Sequence, residues 1–281
     1  MTDRQEASHQ PKVVELRPEP SGLIAWLREL WSFRQVIWIL TRKDFQVRYK
    51  RAAFGVLWAV ALPLVQASIF VVVFSRVGHF NHTPFSYAGF VLAGVLTWSY
   101  FSSTIQASST AIVDSSSLTD KVWFPRAVLV LVPAISNLFG LITSMVIVII
   151  AIPVVHAHYT VRLLLLPVGM LLMVTFAVSL GLITSALHVY FRDVRFIIQA
   201  SVLVWFYVTP IVYPATALHG LASWMAINPM TGIISLFQLA VAGPSDPLLI
   251  PLAVSIGVSV VFLMVGVEAT RRYDRLFVDK L

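Results

Sequence analysis

The side chains of this sequence that could take part in chemistry lie in short polar segments between long apolar runs. Three of them, Asp114, Asp120 and Asp193, are carboxylates of the kind that a membrane-embedded transferase would use to hold a metal ion and a diphosphate. They stand apart in the sequence and form no clustered motif. The chain also contains no P-loop, HExxH or GxSxG pattern, so we assign it no catalytic residue and no cofactor of its own.

Histidine and cysteine do not indicate a metal centre. The sequence places His156 and His158 beside Tyr159, and His79 near His82, but both groups fit solvated loops better than a metal site. The chain contains no Cys, which excludes disulfides, thiolate nucleophiles and cysteine metal ligands. We therefore predict no bound metal ion.

Aromatic side chains in two of the apolar runs are a further chemical resource. The face of an aromatic ring can stack on the C–H face of a sugar and still let it slide, which suits a polymer in motion. The alternative is the aromatic belt that membrane proteins carry at headgroup depth. The candidate channel aromatics are Trp98, Tyr100, Phe101, Trp205 and Tyr207.

Long apolar runs must position these side chains. All but the fifth reach the ~20 residues that a helix needs to cross ~30 Å of hydrocarbon. A chain that is 58% hydrophobic and 12% charged, with runs of this length, is not an ordinary soluble domain. The six predicted spans are Val56–Val77, Tyr87–Ser108, Val128–Val155, Leu163–Leu187, Phe196–Tyr213 and Leu248–Val267.

The distribution of basic residues predicts the topology of these spans. With the amino terminus in the cytoplasm, Arg76 and Arg162 are the only two of the 20 Lys and Arg residues that fall outside. A seventh span at Met230–Ala242 would move the basic tail outside, so we interpret that stretch as re-entrant. The net charge of +7 does not indicate nucleic-acid binding, because the basic residues cluster where anionic lipid attracts them.

We divide the chain into three regions. Residues 1–20 lack the apolar core of a secretory signal and are predicted to be a disordered cytoplasmic leader. Residues 21–54 form an amphipathic interface region, in which Ser32 and Gln35 have capping-box spacing and a second helix begins at Phe33. Residues 55–281 form the six-helix domain. The fold class is thus an all-α integral membrane protein.

Prolines and small residues predict local features of the spans. Pro63, Pro133 and Pro210 remove helical hydrogen bonds and are expected to bend their helices. Gly181 and Ser185 form a small-xxx-small pair that allows close helix packing. The broken apolar stretch between spans five and six predicts two short extracytoplasmic helices that dip into the outer leaflet as a lid, with an interfacial loop as the alternative.

No Asp, Glu, Lys or Arg interrupts the six apolar cores. Ionisable groups at a helix centre cost about 2.5 to 3.5 kcal/mol and are retained mainly for function. Their absence argues against a proton- or sodium-coupled carrier, so another component must supply the work.

Four stretches of the sequence, in this order, carry a resemblance to a known family. From Trp31 onward, the chain resembles the transmembrane subunit of ABC-2 type polysaccharide exporters, which handle O-antigen, teichoic acid and related lipid-linked glycans such as galactans. The stretches are Arg42–Asp44 with Arg48–Lys50, Gly55, Trp58 and Pro63; Lys121–Arg126; Tyr190–Arg195; and Thr209–Pro214 with Asn228–Pro229.

The resemblance implies a homodimer around a central channel, joined to two separate P-loop ATPase subunits that bind ATP and Mg. It also implies a coupling helix in the loop of residues 114–126. There Trp123 and Phe124 would be apolar anchors, and a loop anchored in lipid by its aromatic residues is the alternative. Arg192 and Asp193 would make a second cytoplasmic contact or belong to an ordinary positive-inside loop. The remaining residues of the coupling motif are Asp120, Lys121, Pro125 and Arg126.

The mechanism that the resemblance implies is export of a polyprenyl-diphosphate-linked glycan across the cytoplasmic membrane, with both termini in the cytoplasm. The channel would be lined by the first and fifth spans. Basic residues at the inner leaflet would meet the lipid diphosphate, and the segment after span five would gate the exit. The diphosphate candidates are Arg42, Lys43, Arg48 and Lys50; the gate candidates are Pro214, Asn228, Pro229 and Gly243.

Three other functions compete with this one. An ABC-2 subunit for lipid or drug efflux would share the same membrane architecture. A polyprenyl-lipid transferase would need the clustered carboxylates that the sequence does not show. A non-enzymatic scaffold in envelope synthesis would not need the resemblance to a coupling loop.

Overall fold

The computed structural model describes residues 22–50, 54–55, 57–77, 85–119, 124–155, 157–217, 220 and 222–278. Within these ranges the regular structure is helical and contains no strand. The helices are α1 (Leu23–Ser32), α2 (Arg34–Tyr49), α3 (Leu57–Val77), α4 (Tyr87–Asp114), α5 (Ser116–Thr119), α6 (Ala127–Ala151), α7 (Leu165–Tyr190), α8 (Val194–Val208), α9 (Ala222–Ile227), α10 (Pro229–Val241) and α11 (Leu249–Val278), with 3-10 turns at Val161–Leu164 and Ala215–Ala217.

Five helical segments are long and apolar enough to cross a membrane by length and composition: α3, α4, α6, α7 with the turn before it, and α11. For the described residues this confirms the expected all-helical architecture with several candidate membrane spans. The apolar helices α8 and α10 are shorter, with 15 and 13 residues. At 1.5 Å per residue α8 covers only ~22 Å of the ~30 Å hydrocarbon core. The sixth span and the re-entrant helices therefore stay predictions.

Helix α4 lies at the centre of the bundle. It packs against α3, α6, α7, α8 and α10. In the most apolar stretch of α4, 72% of the residues are buried, whereas the value for the corresponding stretch of α3 is 17%. Phe90, Leu96, Phe101 and Ile105 are its largest fully buried side chains. The other helices are thus arranged around α4, and α7 and α10 also pack against α11.

Small residues allow the closest helix crossings. A Cβ on Gly181 of α7 would lie 2.9 Å from the Ser108 Cβ on α4. A Cβ on Gly232 of α10 would lie 2.3 Å from the Pro251 carbonyl oxygen on α11. The packing role predicted for Gly181 is confirmed at this crossing, and Ser185, one turn further along α7, is buried as well.

The amino-terminal region forms two helices that meet at Phe33. The capping-box prediction is wrong: the Ser32 hydroxyl donates to the Glu29 carbonyl at 2.6 Å because Ser32 still belongs to α1. Trp26 is buried in a cluster with α4 and α6, whereas Trp31 is 70% exposed. One face of the region thus packs on the bundle, and the other carries exposed apolar side chains, as expected at a membrane interface.

The prolines behave in two ways. Pro63 and Pro133 lie inside α3 and α6, as predicted. The prediction that Pro210 bends a helix is wrong, because α8 ends at Val208. Thr209 has extended backbone, with φ −93 and ψ 138, since the residue before a proline disfavours the helical conformation.

Candidate functional site

A polar cavity of about 280 Å³ lies between α2, α3, α4 and α6. Helices α3, α4 and α6 form most of its wall and α2 contributes Arg48, and no carboxylate is among the described lining residues. The polar lining residues are Arg48, Gln66, Ser99, Tyr100, Ser103, Asn137 and Ser144; Trp58, Leu62 and Pro63 are among the apolar ones.

Arg48 is held at the wall of this cavity by side chains of two helices. Its Nη1 donates to Asn137 Oδ1 at 2.6 Å, and its Nη2 donates to Asp44 Oδ2 at 3.2 Å. Asn137 Nδ2 donates in turn to Thr104 Oγ1 at 3.1 Å. The chain of contacts joins α2 to α6 and α4, and leaves the Arg48 side chain 32% exposed.

The other basic residues predicted to meet a diphosphate lie elsewhere. Arg42, Lys43 and Lys50 are exposed. Lys43 lines a second groove of about 380 Å³ between α2, α4 and α6, which also contains Asp44 and Asp114. The structure thus brings Arg48, but not the other three, to the polar cavity.

Most of the candidate channel aromatics lie in the protein interior. Trp98, Tyr100 and Phe101 are buried, Trp205 is half-buried, and Tyr207 is 61% exposed. The Trp205 ring meets the Phe101 ring edge to face, with 5.4 Å between centroids. Within this single chain the rings of Trp98 and Phe101 pack on α8, whereas the Tyr100 hydroxyl donates to the Ala134 carbonyl of α6 at 3.1 Å. Tyr207 is the one of these five with an exposed ring, and the channel role of all five stays a prediction.

The backbone after α8 is irregular and is hydrogen-bonded by side chains. Gln238 Nε2 donates to the carbonyls of Pro210 and Ile211 at 3.1 and 3.3 Å. The Tyr87 hydroxyl donates to the Val212 carbonyl at 2.8 Å. Gly94 permits the approach, because a Cβ there would lie 2.8 Å from the Ile211 oxygen. Non-helical backbone in a membrane requires such partners within the protein.

Asn228, a predicted gate residue, ties the start of α10 to the end of α8. Its Oδ1 accepts from Trp205 Nε1 at 2.9 Å and from the Met230 N–H at 3.0 Å. Its Nδ2 donates to Thr209 Oγ1 at 2.9 Å. Ser255, in the second turn of α11, donates to the Pro229 carbonyl at 2.5 Å. The turn between α9 and α10 therefore lies deeper in the bundle than the start of α11.

The other end of α10 lies where α4 begins. The Ser86 N–H donates to the Ala242 carbonyl at 3.3 Å. Nearby, the Asp246 carboxylate accepts from the backbone N–H groups of Ala215 and Thr216, at 3.1 and 2.9 Å. The gate candidates Pro214 and Gly243 flank these contacts, and Gly243 has a φ of +102 that favours glycine.

Gln238 and Tyr87 were missed by the sequence analysis. Gln238 is an amide in an otherwise apolar helix, and a polar side chain at membrane depth is a signal of a required partner. Tyr87 follows the cap residue Ser86 directly and gave no comparable signal.

The cytoplasmic loop between α4 and α6 is described only in part. Asp120, Lys121 and Trp123 lie outside the described residues. Phe124 and Arg126 are 5% and 8% exposed, and Phe124 packs in the cluster of Trp26. This burial argues against direct insertion of Phe124 into a partner. Pro125 is also buried, whereas Arg192 and Asp193 are exposed before α8.

These features define a class of protein. Long apolar helices surround a polar cavity, and an irregular segment is held inside the bundle by side-chain hydrogen bonds. Among the described residues, no group of three or more His, Cys, Asp and Glu residues could hold a metal ion. The arrangement is that of a membrane transport subunit.

Comparison with known proteins gives the family. Residues 35–241 match the ABC-2 type transporter family, so the chain belongs to that family and is a transport subunit rather than a catalytic enzyme. It is 29% identical over 244 residues to the O-antigen export system permease protein RfbA of Myxococcus xanthus, covering 86% of this chain and 93% of that protein. It is 28% identical over 198 residues to the Klebsiella pneumoniae protein of the same name, covering 70% and 76%.

Proposed function

We propose that this chain is the channel-forming subunit of an exporter that moves a polyprenyl-diphosphate-linked polysaccharide of the O-antigen type across the cytoplasmic membrane. The observation that carries the proposal is the similarity to O-antigen export permeases along 86% of the chain. Membership in the ABC-2 family implies a separate ATPase partner, which binds ATP and Mg and supplies the work.

The exposed faces of α3 and α8 are the proposed channel wall. Phe70 on α3 stacks on Phe206 on α8, with 5.6 Å between ring centroids, so the two helices meet at this point. Both expose large apolar side chains, such as Val73 and Leu203, and α8 adds the Tyr207 ring. A second copy of the chain would complete a channel at this face, with Trp98, Phe101 and Trp205 supporting the wall from behind, while Tyr100 faces the polar cavity.

The sixth span is proposed to be α8 continued by residues 209–214. Helix α8 covers ~22 Å at ~1.5 Å per residue, so residues 209–214 would supply the remaining ~8 Å of the ~30 Å hydrocarbon core. The deep turn at Asn228 supports a re-entrant hairpin of α9 and α10. With both termini in the cytoplasm, this hairpin would lie at the outer side and gate the exit.

The ATPase is proposed to dock at the cytoplasmic loop after α4. Asp120, Lys121 and Trp123 are the contact residues of this proposal, while Phe124 fixes the loop from within. Replacing Trp123 by Ala should lower export per ATP hydrolysed and leave folding intact. Unchanged export per ATP would exclude Trp123 from coupling.

The function is tested by removing the gene product from its native host and purifying the tagged chain in mild detergent. We expect loss of surface polysaccharide, accumulation of its lipid-linked form on the cytoplasmic side, and co-purification of a stoichiometric P-loop ATPase. An intact dimer without an ATPase, or unchanged surface polysaccharide, would contradict the proposal. Accumulation of a lipid or drug instead would favour the efflux function.

A further inference from the structure

We infer that the cavity between α2, α3, α4 and α6 is a water-accessible site for the anionic, phosphate-bearing head group of a membrane lipid, with Arg48 as its anion-binding residue. The inference deepens the proposed function and rests on it for the identity of the lipid, a polyprenyl diphosphate. The cavity lies within one subunit and is a different site from the proposed channel at α3 and α8.

The polar lining of the cavity is the first argument. Ser99 and Ser103 lie one turn apart on α4, and Gln66 and Ser144 come from α3 and α6. Ser103 precedes the end of α4 at Asp114 by about 17 Å along the helix axis. Polar side chains at such a depth usually face a cavity or protein partners, because hydrocarbon offers them no hydrogen bonds. The Ser103 hydroxyl is already satisfied by the Ser99 carbonyl at 2.7 Å. The lining groups that favour water in the cavity are therefore the Arg48 guanidinium and the Gln66 amide, which carry several donors each.

The guanidinium of Arg48 is the second argument. An arginine has five N–H donors, and the contacts to Asn137 and Asp44 use two nitrogens at the cavity wall. These contacts orient the planar group and leave donors for a ligand. Arginine suits phosphate because two parallel N–H groups can bind two oxygens. Asp44 lines the neighbouring groove rather than the cavity, and its carboxylate, 3.2 Å from Arg48 Nη2, offsets part of the guanidinium charge.

Size and position are the third argument. A cavity of about 280 Å³ is near the lower end of small-ligand sites and fits a head group, not a polymer. Trp58 is 42% exposed where α3 begins, and Phe139 and Ile142 expose apolar side chains on α6. A lipid could therefore place its head group in the cavity and keep its chain along the outer faces of α3 and α6.

The site also borders the proposed channel. Gln66 and Phe70 lie one turn apart on α3, so they share one helix face. Gln66 lines the cavity, and Phe70 stacks on α8. A head group in the cavity thus lies next to the contact that joins the two channel helices.

The test uses the absence of cysteine from the natural chain. The full-length variant Ser103→Cys is placed in phosphatidylcholine nanodiscs and treated with a charged thiol reagent. We expect the cysteine to be labelled, and undecaprenyl diphosphate to slow labelling at least tenfold. The control is Ser116→Cys, at an exposed position on α5. This cysteine should be labelled equally with and without the lipid.

Arg48 is tested in the Ser103→Cys background. With Arg48→Gln, the cysteine should still be labelled, but undecaprenyl diphosphate should no longer slow the labelling. With Arg48→Lys, the lipid should still slow labelling in part. Arg28→Gln, which removes a charge on exposed α1, should keep both. A single size-exclusion peak for each variant separates loss of binding from loss of folding. Protection that survives Arg48→Gln would overturn the role of Arg48.

A parallel experiment with phosphatidylglycerol assigns the source of the phosphate. Stronger protection by undecaprenyl diphosphate supports a substrate site, and equal protection supports a general anionic-lipid site. No labelling at Ser103→Cys, or no protection by either lipid, overturns the inference. If the protein exports polysaccharide normally but neither lipid slows labelling of Ser103→Cys, the cavity site alone is rejected. If lipid slows labelling but the protein exports no polysaccharide, the proposed function alone is rejected.

Discussion

Helices α3 and α4 are both long enough to cross a membrane, yet they occupy opposite environments. Of the most apolar window of α4, 72% is buried, while only 17% of that of α3 is buried, although α3 is the more apolar of the two. In water the more apolar helix would lie inside. In a bilayer, lipid tails are as apolar as leucine, so small and polar side chains favour helix contacts instead. Helix α4 is therefore the packed centre of the bundle, and α3 presents a surface to lipid or to a second subunit.

The strongest test of this comparison replaces one large side chain in each helix. Phe101→Ala in α4 should destabilise the protein by about 3 to 5 kcal/mol, because it empties a fully buried site. Leu62→Ala in α3 removes a side chain that is 62% exposed and should leave stability nearly unchanged. Thermal unfolding in detergent measures both changes. Equal destabilisation would show that α3 is buried as deeply as α4.

A second test concerns the irregular segment that packs against α4. Gln238→Leu leaves the Pro210 and Ile211 carbonyls without their donor. Each orphaned buried carbonyl should cost about 1 to 3 kcal/mol. Gln199→Leu, on an exposed position of α8, is the matched control for stability and should have little effect. The free energy of unfolding is measured for both variants. Similar values would mean that the Gln238 amide does not stabilise the segment after α8.

A third test separates a supporting aromatic from an exposed one on α8. Trp205→Phe keeps a ring but loses the hydrogen bond to Asn228, which should cost about 1 kcal/mol. Tyr207→Ala should leave stability unchanged and slow export if this ring lines the channel. Unfolding temperature and export rate are measured on both variants. An export rate unaffected by Tyr207→Ala would remove Tyr207 from the proposed wall.

The smallest expected effect lies at the periphery. Ser32→Ala removes an exposed hydrogen bond to Glu29. Because exposed polar contacts largely exchange with water, the change should stay within about 0.5 kcal/mol. Denaturant unfolding at matched protein concentration would detect a larger loss, which would mean that the junction of α1 and α2 carries more of the stability than its exposure indicates.

The sequence predicted the helices better than their environment. Apolar runs located α3, α4, α6, α7 and α11 because a membrane span needs a minimum length. They did not predict that Trp98 and Phe101 face the core. A hydropathy scale gives an apolar side chain the same value whether it faces lipid or the protein interior. Nor did the apolar pattern reveal that Pro210 ends α8, because Val202–Tyr213 reads as one apolar run.

The candidate site was likewise only partly predictable. Arg48 was identified from its charge near a membrane boundary. Its partner Asn137 and the lining residues Gln66 and Ser103 come from three other helices. Their convergence depends on how each helix is rotated, and one sequence without its packing does not specify that rotation. Asn228 was predicted from its position before a proline, but its contacts with α8 were not.

Helix α2 is held against α6, and the Phe45 and Phe139 rings of the two helices meet with 5.6 Å between centroids. Arg48 lies ~22 Å along α2 from the junction at Phe33. A tilt of only about 5° between α2 and α6 would therefore shift its guanidinium by ~2 Å relative to Asn137. That shift is comparable to the 2.6 Å length of the hydrogen bond between them. A small change in how α2 packs on α6 would thus be enough to separate Arg48 from Asn137 and alter the anion site.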